Sequence, residues 1–296
     1  MTNRFSLPSY AKINWTLRVL GRREDGFHEI FTVFQSVSLQ DTLSFARSDE
    51  VTLTCDQAAI PVDGRNLISK AATVLSARFN INSGARIHLQ KHIPSPGGLG
   101  GGSSNAAIAL IGLSRLWDLD LSTDELSDIA AGIGSDVPFF ISGGTAIGSG
   151  RGEIIEPVDD TAELFLLIVT PEIAVPTRDA FQNLNRPILT TEEQESILRD
   201  CREQALDLDL RQVALKNDFE KSVFVSHPEI GRAKETLLGL GARNAALSGT
   251  GASVFGIFDN IKTRQAAIKA LDSESTWRKF AVATVSRAEY REALCI

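Results

Sequence analysis

The stretch Ile93-Pro-Ser-Pro-Gly-Gly-Leu-Gly-Gly-Gly-Ser-Ser-Asn-Ala-Ala107 packs five glycines into six positions. It follows a strand-like run, Ala85–Ile93, in which Ile87 and Leu89 alternate with His88 and Gln90. A helix-like run from Ser103 through Trp117 comes after it. Without Cβ atoms, consecutive backbone N–H groups can turn toward one point. Here they do so at a helix N-terminus, where unpaired donors and the macrodipole favour an anion. The stretch reads as a phosphate-binding loop, against the plainer alternative of a tight strand-to-helix turn. Two common nucleotide signatures are excluded. A Walker A loop ends in Gly-Lys-Ser/Thr, whereas Gly102 is followed by Ser103. A dinucleotide fingerprint needs G-x-G-x-x-G, and counting from Gly98 the sixth position is Ser103.

Outward from the loop, the N-terminal half alternates short strands with helices. Trp15–Leu20, Thr42–Ala46, Val51–Cys55 and Arg86–Ile93 have strand character. Asn66–Phe79 carries Leu67, Ile68, Ala71, Val74, Leu75 and Phe79 at helical spacing. A small-residue helix, Asn105–Leu116, leaves the loop. Ser122-Thr-Asp-Glu125 is a capping-box pattern for the next helix, which stops near Gly132–Gly134. A glycine-rich run, Gly143–Gly152, marks a change of composition, and Leu164–Val169 is continuous apolar sequence typical of a buried strand. Helices are expected around Glu192–Gln204, Leu208–Lys216, Pro228–Leu240 and Ile261–Leu271, with strands at Ala245–Leu247, Ser253–Phe258 and Phe280–Val285. Strict βαβ regularity is missing, so the class is α+β. The expected division is 1–155 and 156–296.

The chain has 296 residues, with 43% hydrophobic and 23% charged, and so has material for two ordinary globular domains. A net charge of −7 without any cationic block argues against nucleic acid or an anionic membrane as the main partner. Cys55, Cys201 and Cys295 lie far apart without CxxC, which suggests reduced cytosolic thiols. No signal-like N-terminus and no span of about 20 apolar residues is seen. The expected location is the cytoplasm.

Three further segments bear on chemistry. Pro8-Ser-Tyr-Ala-Lys12-Ile-Asn14 sets a lysine and an asparagine two apart at the entry to a strand, hence on one face. Gly134-Ser-Asp136-Val-Pro138-Phe139 sets an aspartate just ahead of a helix start. Ser248-Gly-Thr-Gly-Ala-Ser253 is a second glycine turn, rich in hydroxyls. Singly, these are a surface lysine, a helix cap and a hairpin. Together with the 97–104 loop they form a pattern.

That pattern resembles the GHMP kinase superfamily, with its motifs in the expected order: Pro8–Asn14, Pro94–Ala106 and Gly249–Gly251. The resemblance implies a two-domain α+β fold with a cleft between the domains, and a small-molecule kinase using ATP and Mg²⁺. Within the family, Arg23-Glu-Asp-Gly-Phe-His28 is similar to the branch acting on a cytidine-diphosphate methylerythritol in non-mevalonate isoprenoid synthesis. Phe27 stands where a tyrosine is common, and Pro96 replaces a small residue usual in the loop.

Roles follow from the resemblance, not from spacing. Asp136 would accept the proton of the acceptor hydroxyl, and Lys12 would favour the charged carboxylate and stabilise charge on the transferring group. The segment Pro94, Ser95, Pro96, Gly97, Gly98, Leu99, Gly100, Gly101, Gly102, Ser103 and Ser104 would cradle ATP, with Asn66 and Lys91 on the adenosine side. No direct metal ligand is assigned; Mg²⁺ would ride on the phosphates, with Ser103 or Ser104 as a candidate hydroxyl. Asn14, Phe27, His28, Thr177, Phe181, Gly249 and Thr250 would join Asp136 in holding the acceptor, Phe27 and Phe181 sandwiching the base. His88 and His92 are four apart but lack a zincin glutamate, so no metal role is assigned to them. His227 reads as a helix-entry residue and Trp117 as core. Another GHMP small-molecule kinase, or a catalytically silent nucleotide-binding relative, are the competing readings. No sequence feature announces an oligomeric interface.

Overall fold

A computed structural model describes residues 4–184, 186–188, 190–206 and 215–296. The first half runs β1 (Phe5–Arg22), β2 (His28–Ser48), β3 (Thr52–Cys55), α1 (Leu67–Phe79), β4 (Gly84–Gln90), α2 (Gly101–Leu116), α3 (Thr123–Ile133), α4 (Phe139–Ser142), β5 (Thr145–Ser149) and β6 (Ile154–Pro157). The second runs β7 (Phe165–Pro171), α5 (Thr177–Gln182), α6 (Thr191–Leu206), β8 (Lys216–Asn217), α7 (Glu220–Ser226), α8 (Pro228–Gly239), β9 (Asn244–Leu247), β10 (Val254–Phe258), α9 (Ile261–Ala270), β11 (Trp277–Ala283) and α10 (Arg287–Leu294). Strands β3-β4-β2-β1-β8 form one sheet, extended by β5 and β6 off β2, and β11-β7-β10-β9 form a second.

Side-chain alternation sorts these elements into layers. On one face of the first sheet, Phe45, Ile87 and Phe34 pack against α1, α2 and α4 through Leu75, Leu110 and Phe139. On its other face, Ile13, Trp15, Phe31 and Val33 meet Leu166, Ile168, Phe255 and Ile257 of the second sheet. Trp15 and Phe255 pack edge-on with ring centroids 5.5 Å apart. The far face of the second sheet, with Leu167, Val169 and Val254, is covered by Ile230, Ala233 and Leu237 of α8 and Ala267 of α9. The α+β expectation stands.

Several element boundaries differ from the sequence reading. The strand-like pieces at Trp15–Leu20 and Thr42–Ala46 are parts of 18- and 21-residue strands. Register shifts at Tyr10/Ala11, Asn14/Thr16 and Val19/Gly21 interrupt the alternation by which such strands are read. Helix α2 starts at Gly101, ahead of the expected Ser103 or Asn105. Strand β4 ends at Gln90: the Lys91 amide donates to Asp56 Oδ1, and the His92 and Ile93 amides donate to Asp41 Oδ1, instead of to a neighbouring strand. Of the expected helix Leu208–Lys216, residues 208–214 lie outside the described residues and Lys216 belongs to β8. The capping box at Ser122 is present as expected. His227 stands at the entry of α8, and Trp117 is buried. Among the described residues no helix is long and apolar enough to cross a membrane.

Candidate active site

The site is assembled where β1, the glycine loop and the β9–β10 turn meet. Lys12 and Asn14 share a face of β1, and the Lys12 ammonium donates to Asn14 Oδ1 at 2.8 Å. Lys12 Nζ also stands 3.5 Å from Asp136 Oδ2 in the turn ahead of α4. The lysine is buried while the Asp136 side chain keeps 33% exposure, so the pair is open on its carboxylate side. Burial pushes the Lys12 pKa down, and the Asp136 carboxylate pulls against that shift.

Backbone geometry fixes the loop beside this pair. The Leu99 carbonyl accepts from Lys12 N at 3.0 Å, and the Leu99 side chain is buried between the sheets. Gly98 and Gly100 sit at φ +71° and +68°, and a Cβ on Gly98 would overlap the Ser248 carbonyl oxygen. Glycine is obligatory there. Gly100 caps α2 without a side-chain hydrogen bond, which leaves first-turn N–H groups free for an anion.

The second glycine turn is a hairpin between antiparallel β9 and β10, and it also braces the first. Ser248 Oγ donates to the Gly98 carbonyl at 3.0 Å, and Ser253 N donates to the Gly97 carbonyl at 3.1 Å. Gly249 N donates to Asn14 Oδ1 at 2.9 Å, so one asparagine oxygen joins β1, Lys12 and the hairpin. Asn14 Nδ2 in turn donates to Thr32 Oγ1 at 2.7 Å.

A cleft of about 820 Å³ opens onto these groups. Lys12, Asn14 and Asp136 line it together with Gly98 and Gly100, and Gly249, Thr250 and Thr177 line the side toward the second sheet. Phe27, His28 and Phe181 close the far end. His28 and Phe181 pack at 5.1 Å between centroids, and Phe181 meets Phe219 edge-on at 4.8 Å. Phe27 is 53% exposed, and its ring is faced by the Arg151 guanidinium at 4.9 Å. Partial burial, and secondarily the charge of Arg22, push the His28 pKa down, so its imidazole is neutral near pH 7.

Lys91, Asn66 and Ser104, expected on the ATP side, are not among the residues lining this cleft. Lys91 is buried beneath the loop, its ammonium donating to Asp41 Oδ2 and the Ile93 carbonyl, each at 2.7 Å. Asn66 caps α1: its Oδ1 accepts from Ile68 N at 2.9 Å and its Nδ2 donates to the Pro61 carbonyl at 2.6 Å. The Ser104 hydroxyl is turned inward, 2.7 Å from Ser9 Oγ, whereas Ser103 stays half-buried at the loop surface. Each of these side chains has protein partners where it stands. Pro94 and Gly97 are buried supports of the loop, Ser95 and Pro96 are exposed at its entry, and Gly101 and Gly102 open α2. Sequence reasoning missed Arg151, Arg178, Gln182 and Ser135, all on the cleft wall. Arg151, between two glycines, offered only the composition shift as a signal. Among the described residues, no group of three or more His, Cys, Asp or Glu side chains could hold a metal ion.

A buried lysine, a half-open carboxylate and a glycine-lined helix start sharing one cleft define a class of phosphoryl-transfer site. The chain belongs to the GHMP kinase family: the GHMP kinases N terminal domain matches residues 66–144 and the GHMP kinases C terminal domain matches residues 195–275. A relative from Syntrophotalea carbinolica, named 4-diphosphocytidyl-2-C-methyl-D-erythritol kinase, is 38% identical over 278 residues, covering 93% of this chain and 97% of its own. A crystal structure of 4-(cytidine 5'-diphospho)-2C-methyl-D-erythritol kinase superposes with a TM-score of 0.75 at 30% identity, covering 95% of this chain and 99% of that one. A homoserine kinase from Cytophaga hutchinsonii shares the fold at a TM-score of 0.70 and 19% identity, covering 95% of each chain.

Proposed function

We propose that this chain transfers the γ-phosphoryl group of ATP to the 2-hydroxyl of 4-diphosphocytidyl-2-C-methyl-D-erythritol, releasing ADP, in isoprenoid precursor synthesis. The observation that carries the reading is the Lys12–Asp136 pair, 3.5 Å apart, set between the glycine loop and the aromatic end of one cleft. The named relatives at 30% identity and above support the choice of acceptor. Phosphoryl transfer asks the protein for positioning and charge stabilisation more than covalent chemistry. Asp136, open to the cleft, accepts the proton of the acceptor hydroxyl as its oxygen attacks the γ-phosphorus. Lys12 stays fixed by Asn14 and stabilises charge on the transferring group. The N–H groups of the 97–103 loop and the first turn of α2 cradle the phosphates.

At the far end, neutral His28 offers one donor and one acceptor nitrogen to a cytosine edge, with Phe27 and Phe181 against its faces. Thr177, Gly249 and Thr250 line the acceptor between the two ends. Mg²⁺ fits this donor set as a metal brought in by the nucleotide: protein carboxylates near the loop are few, and magnesium commonly takes one or two protein ligands plus phosphate oxygens. Ser103 is the hydroxyl that would reach it, and the ion would supply charge neutralisation on the phosphates. The reading divides the chain into an ATP-binding unit, 1–155, and a second unit, 156–296, working in the cytoplasm.

The test is a coupled ADP-release assay with ATP and Mg²⁺, offering the cytidine diphosphate compound, homoserine and mevalonate in parallel. Turnover on the first alone is expected. Turnover on another acceptor, or ATP binding without turnover on any alcohol, would overturn the assignment.

A further inference from the structure

Behind the glycine loop lies a closed polar cluster that the proposed phosphoryl transfer does not use. Asp41 lies within β2, opposite Ser9 of β1, with no solvent exposure, and its carboxylate is saturated by four donors. Oδ1 accepts from the backbone amides of His92 at 2.7 Å and Ile93 at 2.8 Å, which begin the loop. Oδ2 accepts from the Lys91 ammonium at 2.7 Å and from Asn105 Nδ2 at 2.9 Å, in the second turn of α2 where the loop has ended. One carboxylate thus ties together both ends of the glycine-rich stretch. Asn105 Nδ2 also donates to Ser9 Oγ at 2.9 Å, and Ser9 Oγ lies 2.7 Å from Ser104 Oγ. The Lys91 ammonium closes the ring onto the Ile93 carbonyl at 2.7 Å, and a Cβ on Gly101 would come within 3.0 Å of it.

We infer that Asp41, with Lys91 and Asn105, is the positioning group of the phosphate loop: it fixes the path from Ile93 to Ser104 and so sets nucleotide affinity without touching nucleotide. The reason is geometric. A loop of glycines has little stiffness of its own, and backbone donors bind phosphate well only when their directions are fixed beforehand. Charge-assisted hydrogen bonds from a buried carboxylate to entry and exit supply that stiffness. Leu99 and the 248–253 hairpin hold the loop's tip from the other side. Among the described residues, Asp41 is the only carboxylate that accepts hydrogen bonds from both 92–93 and 105.

The inference rests on the ATP reading of the loop, so its test carries one readout that needs no nucleotide. In Asp41→Asn the amide can still accept from 92 and 93, but its NH₂ confronts the Lys91 ammonium and the Asn105 amide. The full-length variant is expected to raise KM for ATP by about tenfold or more while KM for the acceptor stays within about twofold. Without ligand, amide hydrogen exchange should rise over 92–105 and remain at wild-type levels in the second sheet. The exchanged pair Asp41→Asn/Asn105→Asp returns a carboxylate to the cluster and should bring KM for ATP back to within about threefold of wild type. If Asp41→Asn does not fold, Ser9→Ala carries the test, with an expected rise of about threefold in KM for ATP alone.

Equal loss toward ATP and acceptor, exchange raised throughout the molecule, no recovery in the exchanged pair, or an unchanged KM for ATP in Ser9→Ala would each overturn the inference. Wild-type protein that binds no ATP would overturn the kinase reading and this inference with it. Failure of the inference alone leaves wild-type ATP binding intact.

Discussion

Two buried lysines flank the glycine loop, each with an aspartate, and they are built differently. Lys91 and Asp41 are 2.7 Å apart with side chains 3% and 0% exposed, and every oxygen of the carboxylate is taken. Lys12 and Asp136 are 3.5 Å apart, and Asp136 keeps a third of its side chain open. Burial pushes both lysines down in pKa, with the aspartate opposing in each case. A closed pair has no capacity left for a passing proton or phosphate; an open one does. The contrast assigns support to one side of the loop and chemistry to the other.

The sharpest way to break that contrast is at the open carboxylate. Asp136→Asn keeps the shape and removes the base, so kcat should fall by roughly 10²–10⁴ with little change in melting temperature. Lys12→Met should lower kcat by about 10² and also loosen the Asn14 tie, visible as a lower melting temperature. Loop geometry comes next. Gly98→Ala places a Cβ on the Ser248 carbonyl at φ +71° and should destabilise by about 1–3 kcal/mol. Gly102→Ala meets nothing within 4 Å and should leave stability unchanged or raise it by up to about 1 kcal/mol. Thermal or denaturant melts of the two variants check this directly.

The smallest effect is at His28. Its folded pKa lies below the ordinary 6.5, so the native state resists protonation. Its contribution to stability is present above pH 6.5 and declines as pH falls through the lower folded value. Acceptor KM should therefore hold constant from pH 8 to 7 and rise only below the ordinary histidine range. His28→Gln should flatten that acid limb. A limb that persists in the variant would detach it from His28.

What could be read from the chain depended on how local the signal was. The loop, Lys12-x-Asn14, Asp136 and Ser248–Ser253 are each contiguous, so together they could be matched to a family pattern that implies their roles, and the structure gathers all of them on one cleft. The support of the loop is not contiguous. Asp41 reaches Lys91 50 positions away and Asn105 64 positions away, and Ser9 reaches Ser104 across 95. Nothing in the local pattern around Asp41 distinguishes it from an ordinary polar residue where a strand leaves the surface. The same limit hides the partners of Lys91 and Ser104, since Asp41 and Ser9 lie 50 and 95 positions away in sequence. Strand lengths were underestimated for a related reason: register shifts break the period of two, and burial on both faces removes the polar half of the pattern.

The most direct measurement is steady-state kinetics of Asp136→Asn and Asp41→Asn side by side, with ATP varied at saturating acceptor. The account predicts that Asp136→Asn loses kcat with KM for ATP nearly unchanged. Asp41→Asn should lose ATP affinity and keep kcat within about fivefold once ATP saturates. The same pattern in both variants would contradict the division between an open pair that reacts and a closed pair that holds the loop.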